Sequence, residues 1–190
     1  LKIAVWEYNI FVRVMDGNNE LGSIGPIFEI GSILKAYPKI FFHVDDVQGF
    51  GKVPLSVKDC HIDLYTLSGH KIHGLKGTGL AYVREGTKLF PLLHGGNQEM
   101  GFRSGTENVA GAVSFVKAMR LIKERENTNR DHLYKLHHFI VDELQNMDRV
   151  YVNVPENAAP HIINISIPPI KPEVMVHTLS EENIFISTKS

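Results

Sequence analysis

Ser68-Gly69-His70-Lys71 is the stretch on which the reading of this chain turns. The residues before it, Ile62-Asp63-Leu64-Tyr65-Thr66-Leu67, alternate and predict a strand. Those after it, Ile72-His73-Gly74-Leu75-Lys76-Gly77-Thr78-Gly79, are too rich in glycine for regular structure and predict a loop. Lys71 therefore stands just past a strand end, where α/β proteins place ligands. Taken alone, a lysine there reads as a solvated surface charge.

A second stretch changes that reading. Ile40-Phe41-Phe42-His43-Val44-Asp45 is an apolar run ending in a carboxylate, and predicts a buried strand with Asp45 at its C-terminal tip. A carboxylate in that position is costly without a cationic or hydrogen-bonded partner. The chain between Asp45 and Lys71 is long enough for a crossover between neighbouring strands. A strand-end acid and a strand-end lysine are what a pyridoxal phosphate site requires: the acid keeps the pyridine nitrogen protonated, and the lysine bonds covalently to the cofactor.

Working outward, Asp16-Gly17-Asn18-Asn19 is turn chemistry after a strand that ends near Met15 and is fed by Ile3–Trp6 or Ile10–Val12. Residues 27–36 have helical spacing behind Pro26, and the helix should stop before Pro38. Strand, helix and the strand ending at Asp45 form a βαβ unit, which implies parallel strands. Gly79–Arg84 predicts a further strand, and residues 94–106 a long polar loop with four glycines. Thr106 closes that loop and is placed to cap the next helix. In that helix Val109, Ala112, Val113, Val116 and Met119 fall on one face. A polar break at Asn127–Arg130 suggests a boundary between a domain of residues 1–126 and one of 127–190. The second part predicts a helix over Leu133–Leu144, strands at 150–152 and 162–167, a helix from Pro172 and a last strand at 184–186. The fold class is α/β, a mainly parallel sheet flanked by helices, followed by a smaller α+β layer.

Composition narrows the function. The chain has 190 residues, a formal net charge of −1 and 43% hydrophobic residues, which suits a soluble globular protein. It gives no basis for nucleic-acid or membrane binding, and no apolar run approaches a bilayer span. Its one cysteine excludes an internal disulfide and fits a reducing, cytoplasmic compartment. Cys60 precedes the Lys71 strand beside His61, but neighbours in sequence rarely form a working catalytic pair, and it reads as a bystander. His137-His138 are adjacent and would point different ways on a helix, so no metal site is expected.

The motifs His43-Val44-Asp45-Asp46-Val47-Gln48, Ser68-Gly69-His70-Lys71, Asn18-Asn19-Glu20-Leu21-Gly22 and Gly95–Thr106, in that spacing, resemble the cysteine desulfurases of the class V aminotransferase group, which are fold-type I pyridoxal-phosphate enzymes. The resemblance covers roughly Met15 to Ser190. It implies that Asn19 contacts the cofactor ring and substrate carboxylate, Asp45 the pyridine nitrogen, and Gln48 the phenolic oxygen. Ser68 and His70 would donate to the phosphate, Lys71 would be the catalytic lysine, and Thr106 would reach a partner subunit's phosphate across a homodimer. Asp46 replaces a small residue usual in the family. Two adjacent carboxylates cannot both face the ring, so Asp46 is expected to point outward. Arg13 and Gly17 also depart from the family's apolar pattern.

The implied activity is removal of sulfur from L-cysteine, giving L-alanine and a persulfide passed to a sulfur-acceptor protein for iron-sulfur cluster assembly, thiamine synthesis or tRNA thiolation. Full members of the family are about twice this length. By the resemblance, the chain would correspond to the second half of the large domain plus most of the small one. Ile186–Ser190 resembles the lead-in to the loop bearing the nucleophilic cysteine, which this chain does not reach. A related class V aminotransferase, a selenocysteine lyase and a truncated, inactive binding partner are the competing readings.

Overall fold

The structure is a computed structural model that describes Tyr8 and residues 10–188. Three strands, β1 (Phe11–Met15), β2 (Phe41–Asp45) and β3 (Leu64–Ser68), run parallel and adjacent, and β4 (Gly79–Val83) pairs antiparallel with β3. The sheet order is the chain order. The apolar stretch that feeds β1 is Ile10–Val12; Ile3–Trp6 lies outside the described residues.

Side chains alternate across a strand, so the two faces of the sheet differ. Phe42, Val44, Tyr65 and Leu67 point to one side and are buried. Helix α1 (Ile27–Leu34) covers that side with Ile27, Ile30, Gly31 and Leu34, spaced three and four apart as an apolar helical stripe demands. Helix α2 (Val109–Glu124) adds Phe115 and Ala118, and the turns between β2 and β3 add Cys60 and Ile62. Burying each large side chain here contributes about 1.5–3 kcal/mol.

Several expectations need correction. The face of α2 that packs is Gly111, Phe115 and Ala118, while Val109, Val113 and Val116 are exposed. Thr106 does not cap α2: Asn108 does, its Oδ1 accepting from the Gly111 N–H at 3.0 Å. There is no polar break at 127–130. Those residues lie in α3 (Glu126–Gln145), and the only interruption is Arg125, whose φ of −117° and ψ of 10° leave the helix.

Past α3, β5 (Tyr151–Val152) pairs antiparallel with β6 (Ile165–Ser166), and α4 (Pro172–Glu181) follows. The strand expected at 162–167 is thus two residues long. The chain before it is occupied elsewhere: Ile24 N–H donates to Asn157 O, Ala159 N–H to Gly22 O, and Asn164 Nδ2 to Glu20 O. The expected strand at 184–186 does not form; the Ile184 N–H instead donates to Leu179 O and closes α4.

Candidate active site on the carboxyl edge of the sheet

Because β1, β2 and β3 are parallel, their C-terminal ends meet at one edge. Asp16–Asn19 leaves β1 there, Asp45 ends β2 with Gln48 in the following turn, and Ser68 ends β3. Gly69–Ile72 is a single 3-10 turn rather than open loop, and presents His70 and Lys71 exposed on its outer side. It is held by packing against α2 and by its glycine: a Cβ on Gly69 would stand 2.2 Å from Thr78 Oγ1. Six of the seven residues singled out above, Asn19, Asp45, Gln48, Ser68, His70 and Lys71, share this edge. Thr106 is exposed, two residues ahead of the α2 cap, in a loop that folds onto itself through Ser104 and Leu93.

Asp45 lies on the open face of the sheet, level with Met15 and Thr66. Its Oδ1 accepts from the Val47 N–H at 3.2 Å, and its Oδ2 from Arg13 Nη2 at 2.7 Å. Next to them His43 bonds Thr66 Oγ1 at 3.1 Å, and burial with the Arg13 charge lowers its pKa. Asn18 Oδ1 accepts from the Glu20 and Leu21 N–H groups, an Asx-type turn that presents Asn19.

The outward placement of Asp46 is wrong. Asp46 is 1% exposed, turned toward the core, and accepts from the Tyr65 hydroxyl at 2.5 Å. Burial pushes its pKa up to about 8, against the pull of the Tyr65 bond and Lys52. Parity along a strand cannot be carried past its end, and the chain turns immediately after Asp45.

Asp16, Lys52 and His161 also stand at this edge; the sequence placed Asp16 only in a turn after β1 and carried no signal for Lys52 and His161. Asp16, 2% exposed, approaches Asp46. Lys52 donates to Gln48 O at 3.3 Å, and its pKa is lowered by burial and by the Lys71 charge. His161 comes from the C-terminal part of the chain. Both of its ring nitrogens are buried without partners among the described residues, and burial with the charges of Lys52, Lys71 and His137 lowers its pKa to about 4.

The donor set fits pyridoxal phosphate. A carboxylate at the tip of β2 suits a protonated ring nitrogen, a hydroxyl and an imidazole at Ser68 and His70 suit a phosphate, and Lys71 makes no ion pair with a described carboxylate. Arg13 competes for Asp45, and its side chain is 58% exposed and can move away. Cys60 is buried at the other end of β3, beside α1, where burial raises its thiol pKa. A cleft of about 680 Å³ between α1 and the start of α3 is lined by Cys60 but holds none of the seven residues.

The aminotransferase class-V family model matches residues 7–188. The chain belongs to that family. It is 39% identical over 192 residues to a cysteine desulfurase, IscS, of Dictyoglomus turgidum, covering all of this chain and 48% of that protein. It is 41% identical over 192 residues to IscS of Methanosarcina thermophila, covering 47% of it. Among solved structures, a NifS-like protein superposes with a TM-score of 0.93 at 37% identity over 98% of this chain and 51% of its own. A NifS-like protein from Rickettsia africae gives 0.88 at 33% identity, over 95% of this chain and 50% of its own. The fold is therefore the fold-type I architecture expected from the resemblance. The chain spans about half the length of the curated relatives it matches. No helix among the described residues is long and apolar enough to cross a membrane.

Proposed function

We propose that the chain is part of a pyridoxal-phosphate-dependent cysteine desulfurase acting on L-cysteine. The observation that supports this best is the meeting of Asp45 and the Ser68–Lys71 turn on one carboxyl edge, made by two adjacent parallel strands. When bound, pyridoxal phosphate supplies an electron sink for the carbon bearing the amino group. The chain's residues do the rest. Asp45 holds the ring nitrogen's proton, Ser68 and His70 donate to the phosphate, Gln48 and Asn19 orient the ring, and Lys71 moves a proton to and from the substrate carbon. Cys60, buried before β3 and beside α1, is given no part in the sulfur transfer.

The same reading includes a division into a large-domain part, 1–126, and a small-domain part, 127–190. It also includes a homodimer in which Thr106 approaches the partner's phosphate, a sulfur-acceptor protein, and a cytoplasmic location. The exposed Val109, Val113 and Val116 at the start of α2 favour a covered surface near Thr106.

The test is peptide mapping after borohydride reduction of the full-length protein incubated with pyridoxal phosphate, alongside alanine release from L-cysteine. Label on Lys71 and loss of both label and turnover in Lys71→Ala are expected. Label on Lys52 or Lys76 instead would overturn the assignment.

A further inference from the structure

The most deeply buried polar groups at the carboxyl edge have no part in that reaction. Asp16 and Asp46 are 2% and 1% exposed, more completely buried than most of the apolar core. A buried carboxyl group needs partners for both of its oxygens. Asp46 Oδ2 has the Tyr65 hydroxyl at 2.5 Å. Among the described residues, Asp16 Oδ2 and Asp46 Oδ1 meet no donor. Those two oxygens converge on one point: a Cβ added to Gly49 would stand 1.9 Å from the first and 2.3 Å from the second. Two ionised carboxylates repel strongly at such a distance, and one proton between them turns repulsion into a hydrogen bond.

We propose that Asp16 and Asp46 share one proton, and that this pair is a positioning clamp locking the turn that carries Asn19 against the turn that carries Gln48. The backbone places it for that role. Asp16 N–H donates to Asp45 O at 2.9 Å and Asp16 O accepts from Gly25, while Asp46 N–H donates to Thr66 O at 3.1 Å. The pair thus sits where the ends of β1, β2 and β3 are knotted together. Gly49 lies directly over it, and Gly17 faces Gln48 with only 3.3 Å to spare for a Cβ. The clamp goes beyond the cofactor reading and does not depend on it.

The groups that act on the pair from neighbouring elements are the Tyr65 hydroxyl of β3 and Lys52 from the turn after Gly49; the Asp16 charge also bears on the Cys60 thiol in the segment before β3. Burial dominates, raising Asp16 to about 6 and Asp46 to about 8 from 3.8. Both folded-state values lie above the unfolded ones, so the folded chain binds more protons between roughly pH 4 and 8. Stability from the pair is complete below that window and is lost as pH rises through it.

The test needs no cofactor. Infrared spectra at pH 7 should show the carbonyl stretch of a protonated carboxylic acid in the wild type, absent in Asp46→Asn. Folding of the wild type near pH 7 should take up about one proton more than folding of Asp46→Asn. Asp46→Asn puts a permanent N–H where the shared proton lies and leaves an acceptor for Tyr65, so its unfolding midpoint should stay flat from pH 6 to 8 while that of the wild type falls. Asp16→Asn should do the same, should the first variant fold poorly. Amide exchange at Gly17, Gln48 and Gly49 should accelerate in Asp46→Ala and not in Asp46→Asn, which separates a clamp from simple loss of a buried residue. Absence of the acid band at pH 7, equal pH slopes in the wild type and both Asn variants, or equal exchange in Asp46→Ala and Asp46→Asn would overturn the proposal.

Discussion

The two faces of the sheet obey different rules although the same strands make both. On β2, Phe42 and Val44 are 1% and 0% exposed and sit under α1 and α2, whereas Phe41, His43 and Asp45 face the other way and remain partly open. On β1 the open face carries Phe11, Arg13 and Met15. The covered face is apolar and closed by tertiary packing. The open face carries an ion pair, an imidazole–hydroxyl bond and the proposed cofactor carboxylate. Stability is concentrated on the first and chemistry on the second, so substitutions one residue apart should have effects of different size and kind.

The largest contrast is Phe42→Ala against Phe41→Ala. Removing the buried ring should cost about 3–5 kcal/mol, from lost transfer energy and the cavity left behind. Removing its neighbour, 41% exposed, should cost less than about 1 kcal/mol. Urea unfolding of the two variants reads the difference, and equal losses would mean the open face is buried in solution.

Phe115→Ala against Val116→Ala makes the same comparison on α2. Phe115, 4% exposed, closes the covered face and should cost about 3 kcal/mol or more, while Val116, 62% exposed, should change stability by about 0.5 kcal/mol or less. A large loss for Val116 would show that its face of α2 is covered in solution. Gly31→Ala probes how tightly the covered side is closed. A Cβ there would lie 1.9 Å from the Cys60 carbonyl oxygen, so α1 must lift and the cost should be about 1–3 kcal/mol. A thermal midpoint equal to the wild type would show that α1 is held more loosely than its packing implies.

These contrasts also explain which parts of the fold were legible in the sequence. The strands were, because residues 40–45 form an apolar run closed by Asp45 and Tyr65 and Leu67 alternate with more polar neighbours. Strand polarity followed, and with it the edge that gathers Asn19, Asp45, Gln48, Ser68, His70 and Lys71. The phase of α2 was misread because Val109, Val113 and Val116 make as good a stripe as Gly111, Phe115 and Ala118, and periodicity does not say which stripe meets the sheet. Residues 162–167 read as a strand because the run is apolar. Their upstream neighbours instead spend their backbone donors and acceptors on Gly22 and Ile24, a pairing across most of the chain that no local pattern announces. Lys52 and His161 were illegible for the same reason, since each reaches the edge from a different segment, and the pairing of Asp16 with Asp46 was illegible because they come from different turns.

The smallest expected effect bears most directly on the open face. Arg13 and Asp45 form its ion pair at 2.7 Å, with the arginine side chain 58% exposed. Such a pair contributes about 0–1 kcal/mol and weakens with salt. Arg13→Gln should therefore leave the unfolding midpoint nearly unchanged and remove part of its salt dependence. Its effect on ligand binding should be more distinct. Asp45 has one oxygen on the Val47 N–H and the other on Arg13, so a cationic ring nitrogen bound at Asp45 as proposed would compete with the guanidinium. Removing that competitor should tighten pyridoxal phosphate binding to the full-length protein by up to about fivefold, the equivalent of one exposed ion pair. Fluorescence titration of the apoprotein measures this. Weaker binding in Arg13→Gln would mean that Arg13 steers the phosphate or orients Asp45 rather than competing for it. Tighter binding at low salt that vanishes at high salt would place the competition on the open face, where screening acts, and not in the covered core.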